Sequence, residues 1–135
     1  MKIGVEGFTF DSAHYTEGIT EKCMNLHGHT FSVSVEVEGR LDEESGMVSD
    51  FGTIKDAVRN TLREWDHKFL VPKREAKNIE GAGPFNLEIK IIEGKAATTE
   101  NIALNLAKEI HERLGFPVKV KVYEGERSYA VGEWP

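Results

Sequence analysis

From residue 27 the chain alternates between apolar and polar positions with unusual regularity. His27, His29, Phe31, Val33, Val35 and Val37 share one parity, and Thr30, Ser32, Ser34, Glu36 and Glu38 share the other. Side chains two apart on a strand point to the same face, so this pattern predicts a half-buried β-strand. Residues 2–10 alternate in the same manner, with Phe8 and Phe10 on one side. "EGRLDEESG" reads as a hairpin turn. Phe51, Ile54, Val58, Leu62 and Trp65 then recur at helical spacing and predict a helix from about residue 50. A second helix is predicted from "TTEN", capped by Thr98 or Thr99, lined inside by Ile102, Leu106 and Ile110, and ended by Gly115 and Pro117. Val118, Val120 and Val122 mark a further strand, and "SYAVGEW" a short last one. Residues 70–97 are the least regular, but Phe85, Leu87, Ile89 and Ile91 alternate and predict one more strand there. The order β-β-α-(β)-α-β-β predicts an α+β fold, an antiparallel sheet covered on one face by two helices.

A length of 135 residues fits one domain with a real core. The formal net charge is −6, and the acidic residues are scattered along the chain. That disfavours a nucleic-acid surface, which needs a basic stripe to neutralise phosphates. No apolar run approaches the roughly 20 residues of a membrane span, and the N-terminus alternates where a signal peptide would be a block. A single cysteine makes no internal disulfide. The expected address is the cytoplasm, with no membrane or nucleic-acid partner.

Against this frame a few residues break the pattern. His27 and His29 sit in register with the valines, and His14 shares the parity of Phe8 and Phe10. If the first two strands pair, three imidazoles converge at one end of the sheet. Three neutral imidazoles suit zinc and leave its fourth position open for water or substrate. Glu124 continues the parity of Val118, Val120 and Val122, which points a carboxylate toward the core side unless the strand ends at Tyr123. Such a carboxylate accepts well from a ring N–H and an exocyclic amino group side by side. Asp66 and His67 follow Leu62 at the end of the first predicted helix, an acid and an imidazole placed for proton transfer or for capping. Stepping along one helix, the two are not expected to bond to each other, so their partner should come from elsewhere, including a neighbouring subunit. Cys23, the lone thiol, follows Lys22 and precedes the candidate cation site; it reads as a base or nucleophile, or as a fourth ligand that would close the metal. His111, beside Glu112, reads as a surface residue.

"FTFDSAH", "CMNLHGH", "SDF", "WDHKFL", "TTENIA" and "VYEG" occur in the order found in the 6-pyruvoyltetrahydropterin synthase / 6-carboxytetrahydropterin synthase family, and the chain resembles that family to about Tyr129. The resemblance implies the tunnelling fold over one domain, 1–135, with an insertion at about 70–97. It implies Zn²⁺ held by His14, His27 and His29, and catalysis by Cys23, Asp66 and His67. Glu124 would anchor the pterin, with Thr98, Thr99 and Glu100 nearby. It further implies a homo-oligomer, trimer or hexamer, with active sites between subunits. The spacing of Cys23 before His27 is similar to the branch that converts 7,8-dihydroneopterin triphosphate to 6-carboxy-5,6,7,8-tetrahydropterin, on the route to the deazapurine tRNA bases queuosine and archaeosine. Glu21 stands near the place where other relatives use glutamate to make 6-hydroxymethyl-dihydropterin, which leaves the product open.

Overall fold

In the computed structural model, which describes residues 1–18 and 20–135, the alternating segments become strands β1 (Lys2–His14) and β2 (His27–Glu38). They pair antiparallel from Lys2↔Glu38 to His14↔His27. The register slips between Val5 and Phe8, where Glu6 and Gly7 stand opposite Ser34. Gly7 has φ +86°, a left-handed conformation that glycine adopts without penalty, so the slip is a β-bulge. Val5 is buried before the bulge, and Phe10, Ser12 and His14 are buried after it.

Helix α1 (Phe51–Arg63) starts where the Asp50 carboxylate accepts from the Thr53 N–H at 3.1 Å, and turns Ile54, Val58 and Leu62 inward. Helix α2 (Thr99–Leu114) is capped by Thr98, whose hydroxyl accepts from the Asn101 N–H at 3.3 Å. It ends at Gly115, which has φ +77°. Strands β5 (Val118–Glu124) and β6 (Ser128–Trp134) form an antiparallel hairpin, and β5 pairs antiparallel with β2. Val33, Val35 and Val37 of β2 and Val118, Val120 and Val122 of β5 pack under Ile102, Leu106 and Ile110 of α2. Each such side chain taken out of water contributes about 1.5–3 kcal/mol. At Gly132 a Cβ would stand 2.6 Å from the Ala103 main chain, so the close seating of α2 on β6 requires glycine.

The region between the helices differs from expectation. Strand β3 (Lys68–Pro72), not expected from the sequence, joins β1 in parallel through Ser12↔Lys68 and Ala13↔Phe69. Strand β4 (Ile89–Ile92) joins β3 in parallel, giving the order β4-β3-β1-β2-β5-β6. The sheet is therefore mixed, antiparallel in four strands and parallel at one edge, within an α+β architecture. The additional strand is shorter than the alternation from Phe85 implied. Phe85 is 58% exposed and lies outside it, and Ile92, not Ile91, turns into the core. An edge strand held from one side takes its facing from what lies beneath it. "EGRLDEESG" does not join two strands: Asp42 Oδ1 accepts from the Glu44 and Ser45 N–H groups in a turn that leads to α1. His111 is half-buried, its Nδ1 donating to the Phe116 carbonyl at 2.6 Å beyond the end of α2. Among the described residues, no helix is long and apolar enough to cross a membrane.

Candidate metal centre

The β1–β2 register sets His14 across from His27 and Ser12 across from His29, so three imidazoles gather at one end of the inner face. Their ring centroids lie 4.7, 4.8 and 5.0 Å apart, and one nitrogen from each falls within 4.8 Å of the others. Main-chain carbonyls accept only, so Nδ1 of His14 donates to Ala97 at 2.7 Å and Nδ1 of His27 donates to Asn25 at 2.5 Å. That leaves the Nε2 lone pairs of both rings for a ligand. The Nε2 atoms of His14 and His29 are buried without a hydrogen-bond partner. Burial pushes the His14 imidazole below its ordinary value, which keeps it neutral and able to donate a lone pair. Orphaned nitrogens, a neutral His14 ring and the outer bonds that orient His14 and His27 fit a metal ion with three protein ligands.

Glu124 belongs to β5, opposite Phe31, and is half-buried. Its Oε1 lies 3.0 Å from His29 Nε2, off the line that a ring N–H would need. Its Oε2 accepts from Thr99 Oγ1 at 2.5 Å. Cys23 lies on a 3-10 turn, Glu21–Met24, half-buried, with its Sγ 3.5 Å from Thr20 Oγ1. The Thr16 N–H donates to the Cys23 carbonyl at 2.7 Å and holds the turn against the end of β1. A cavity of about 300 Å³ is lined by His14, Cys23, His27, Thr99, Glu100 and Glu124, with Thr98 also on its wall. Among the described residues the close group of donors is the three histidines, and the Cys23 sulfur is outside it. A site closed by the thiol is therefore not what the chain builds.

Asp66 and His67 are brought together, but elsewhere. The helix ends at Arg63, and His67 takes φ +57°, uncommon outside glycine and costing roughly 1–2 kcal/mol. Asp11 of β1 holds the turn from both sides, its N–H donating to Asp66 Oδ1 at 2.9 Å and its carbonyl accepting from the His67 N–H at 2.6 Å. Once off the helix, the pair bonds to itself: His67 Nδ1 lies 2.9 Å from Asp66 Oδ2. This overturns the expectation that the two residues cannot pair. The hydrogen bond and charge of Asp66 push the His67 imidazole above its ordinary value. Burial pushes the Asp66 carboxyl up, but the Asp11 N–H and the His67 ring outweigh it and hold the group below the usual carboxylate range. His67 lines a second cavity of about 570 Å³ with Asp11, Gly28, His29, Thr30, Lys68 and Phe85, so that His29 of the cluster faces it as well. Within one chain, then, Cys23 and His67 open onto different cavities. Sequence reasoning passed over Asp11, whose contacts with the pair run through its main chain.

Residues 2–133 match the family model of 6-pyruvoyl tetrahydropterin synthase. The chain is 35% identical to a putative 6-carboxy-5,6,7,8-tetrahydropterin synthase from Pyrococcus horikoshii, over 90% of this chain and 83% of that protein. It is 34% identical to a protein of the same description from Archaeoglobus fulgidus, over 96% and 93%. It is also 35% identical to a dihydroneopterin monophosphate aldolase from Pyrococcus furiosus, over 93% and 92%. Among solved structures it shares its fold with a catalytic-residue mutant of 6-pyruvoyltetrahydropterin synthase from Plasmodium vivax, with TM-score 0.80 and 24% identity, covering 99% of this chain and 97% of that one.

Proposed function

The chain belongs to the 6-pyruvoyl tetrahydropterin synthase family, and from that starting point we propose that it is a zinc-dependent lyase acting on 7,8-dihydroneopterin triphosphate. The products in this reading are 6-carboxy-5,6,7,8-tetrahydropterin, acetaldehyde and triphosphate, with one water consumed, on the cytoplasmic route to deazapurine tRNA bases. The observation that carries it is the register that seats His14, His27 and His29 around one point with Glu124 beside them. Zinc there would supply Lewis acidity toward an oxygen of the substrate side chain. Glu124, already aligned by Thr99 Oγ1, accepts from the pterin ring N–H and exocyclic amino group and fixes which end enters the cavity. Thr98 and Glu100 shape the wall beside it. Cys23, on the same cavity, takes a proton from the side chain, and the Asp66–His67 pair returns it. Because His67 opens onto another cavity, the pair that serves one Cys23 belongs to a neighbouring subunit of a trimer or hexamer.

A second reading rests on the aldolase relative, which matches as well as the carboxytetrahydropterin synthases do. Under it the substrate is the monophosphate and the product 6-hydroxymethyl-dihydropterin, with Glu21 as the added acid. Zinc-loaded protein incubated separately with dihydroneopterin triphosphate and monophosphate, with the pterin product weighed by mass spectrometry, chooses between them. A carboxylated tetrahydropterin from the triphosphate supports the first reading. No pterin product from either substrate removes both.

A further inference from the structure

Asp11 has so far entered only through its main chain, yet its side chain is also fixed. The Thr30 hydroxyl donates to Asp11 Oδ1 at 2.5 Å, across the β1–β2 pair. Thr30 and Asp11 are on the outer face of these strands, and both line the cavity where His67 stands. His67 thus stands among two carboxylates, one bonded to its ring and one held nearby by a hydroxyl. We propose that Asp11 is the positioning residue of the Asp66–His67 pair: its main chain sets the turn, and its carboxylate, tethered by Thr30, faces the cavity that the ring also lines.

The other titratable groups lining this cavity are His29 of the three-histidine cluster, Lys68, next in the chain, and Glu88, which Lys68 binds in an ion pair. Lys68 and Glu88 are paired with each other, and the bond and charge of Asp66 are the largest influence on the ring. The field of Asp11 acts in the same direction as that of Asp66, raising the proton affinity of the ring, and it is weaker than the bond and charge of Asp66 and than the opposing loss of hydration. A ring held cationic suits the acid that returns a proton better than the base that removes one, which leaves removal to Cys23. The division of labour rests on the lyase reading, whereas the Asp11–His67 coupling does not.

The test is an NMR titration of the His67 ring in metal-loaded protein, assigned by its loss in His67→Asn. Asp11→Asn keeps an acceptor for Thr30 and removes only the charge. The His67 midpoint is expected to fall in that variant, by less than it falls in Asp66→Asn. The alkaline limb of the turnover–pH profile should move to lower pH with it. If Asp11→Asn does not fold, Asp11→Ser gives the same reading. A His67 midpoint unmoved by removal of the Asp11 charge overturns the proposal, as does a ring indifferent to Asp66→Asn. Wild-type protein that shows the expected titration but no pterin turnover would remove the lyase reading and leave the coupling standing.

Discussion

His14, His27 and His29 stand together because two strands keep step: once β1 and β2 pair, their parity admits no other placement. Asp66 and His67 stand together because a helix stops, a histidine takes a left-handed backbone, and Asp11 of a distant strand holds both residues through its main chain. The first cluster is written into local alternation and is buried or half-buried. The second depends on a tertiary clamp and is open to solvent, with the His67 side chain 78% exposed. A register site is robust to substitution around it and sensitive to its own ligands. A clamped turn is sensitive to whatever fixes its backbone.

The sharpest way to separate the two is to remove a ligand. His14→Ala should weaken metal binding by more than the ~100-fold typical of losing an outer hydrogen-bond partner, and abolish turnover with it; metal analysis after dialysis measures this. His67→Asn comes next. Asparagine tolerates the left-handed backbone, so metal content should be unchanged while turnover falls by about 10²-fold or more. Loss of metal in that variant would break the comparison. Glu124→Gln should retain metal and raise KM by about 10-fold or more, since the amide keeps one neutral acceptor and turns an NH2 toward the second N–H of the pterin. Unchanged kinetics would remove the pterin-anchor assignment.

The smallest effect is on stability against pH. His67 binds its proton more tightly in the folded chain, so its contribution is complete below the ordinary 6.5 and lost as pH rises through the raised value. Asp66 is held below the ordinary 3.8, so its contribution is present above that value and lost as pH falls through the lowered one. The pair therefore helps most between 3.8 and 6.5. Thermal midpoints of wild type and His67→Asn should differ most in that window, and only slightly, because the pair is exposed. A difference that grows above it would mean that the ring is not cationic when paired.

How much of this was legible follows from the same contrast. Parity set the three histidines on one face once β1 and β2 were taken to pair, whereas Glu124 stayed open between the core side and solvent, because parity does not say whether β5 runs on past Tyr123. Strand β3 could not: Leu70 and Val71 are neighbours and both fully buried, as parallel strands often are, so no alternation marks it. Phe85 and Leu87 did alternate, and misled, since both are exposed outside β4. The bonding of Asp66 to His67 was hidden because it depends on a φ value that Asp11, more than fifty residues away, stabilises. The clamp that Asp11 forms left no trace, since any residue supplies a main-chain N–H and carbonyl.

The extra residue at Glu6–Gly7 acts as a phase adjuster for everything downstream of it. A single residue taken out between Phe8 and His14 would leave Ile3 and Val5 at odds with His14, and the chain would have to choose between seating its first apolar pair and aiming that imidazole inward; taken out of the bulge itself, it would only restore one-to-one pairing. Shortening the strand by two residues ahead of Ile3 poses no such dilemma. The half of β1 beyond Gly7 is thus geared, tooth by tooth, to the imidazoles across from it, and the stretch ahead of Ile3 is not.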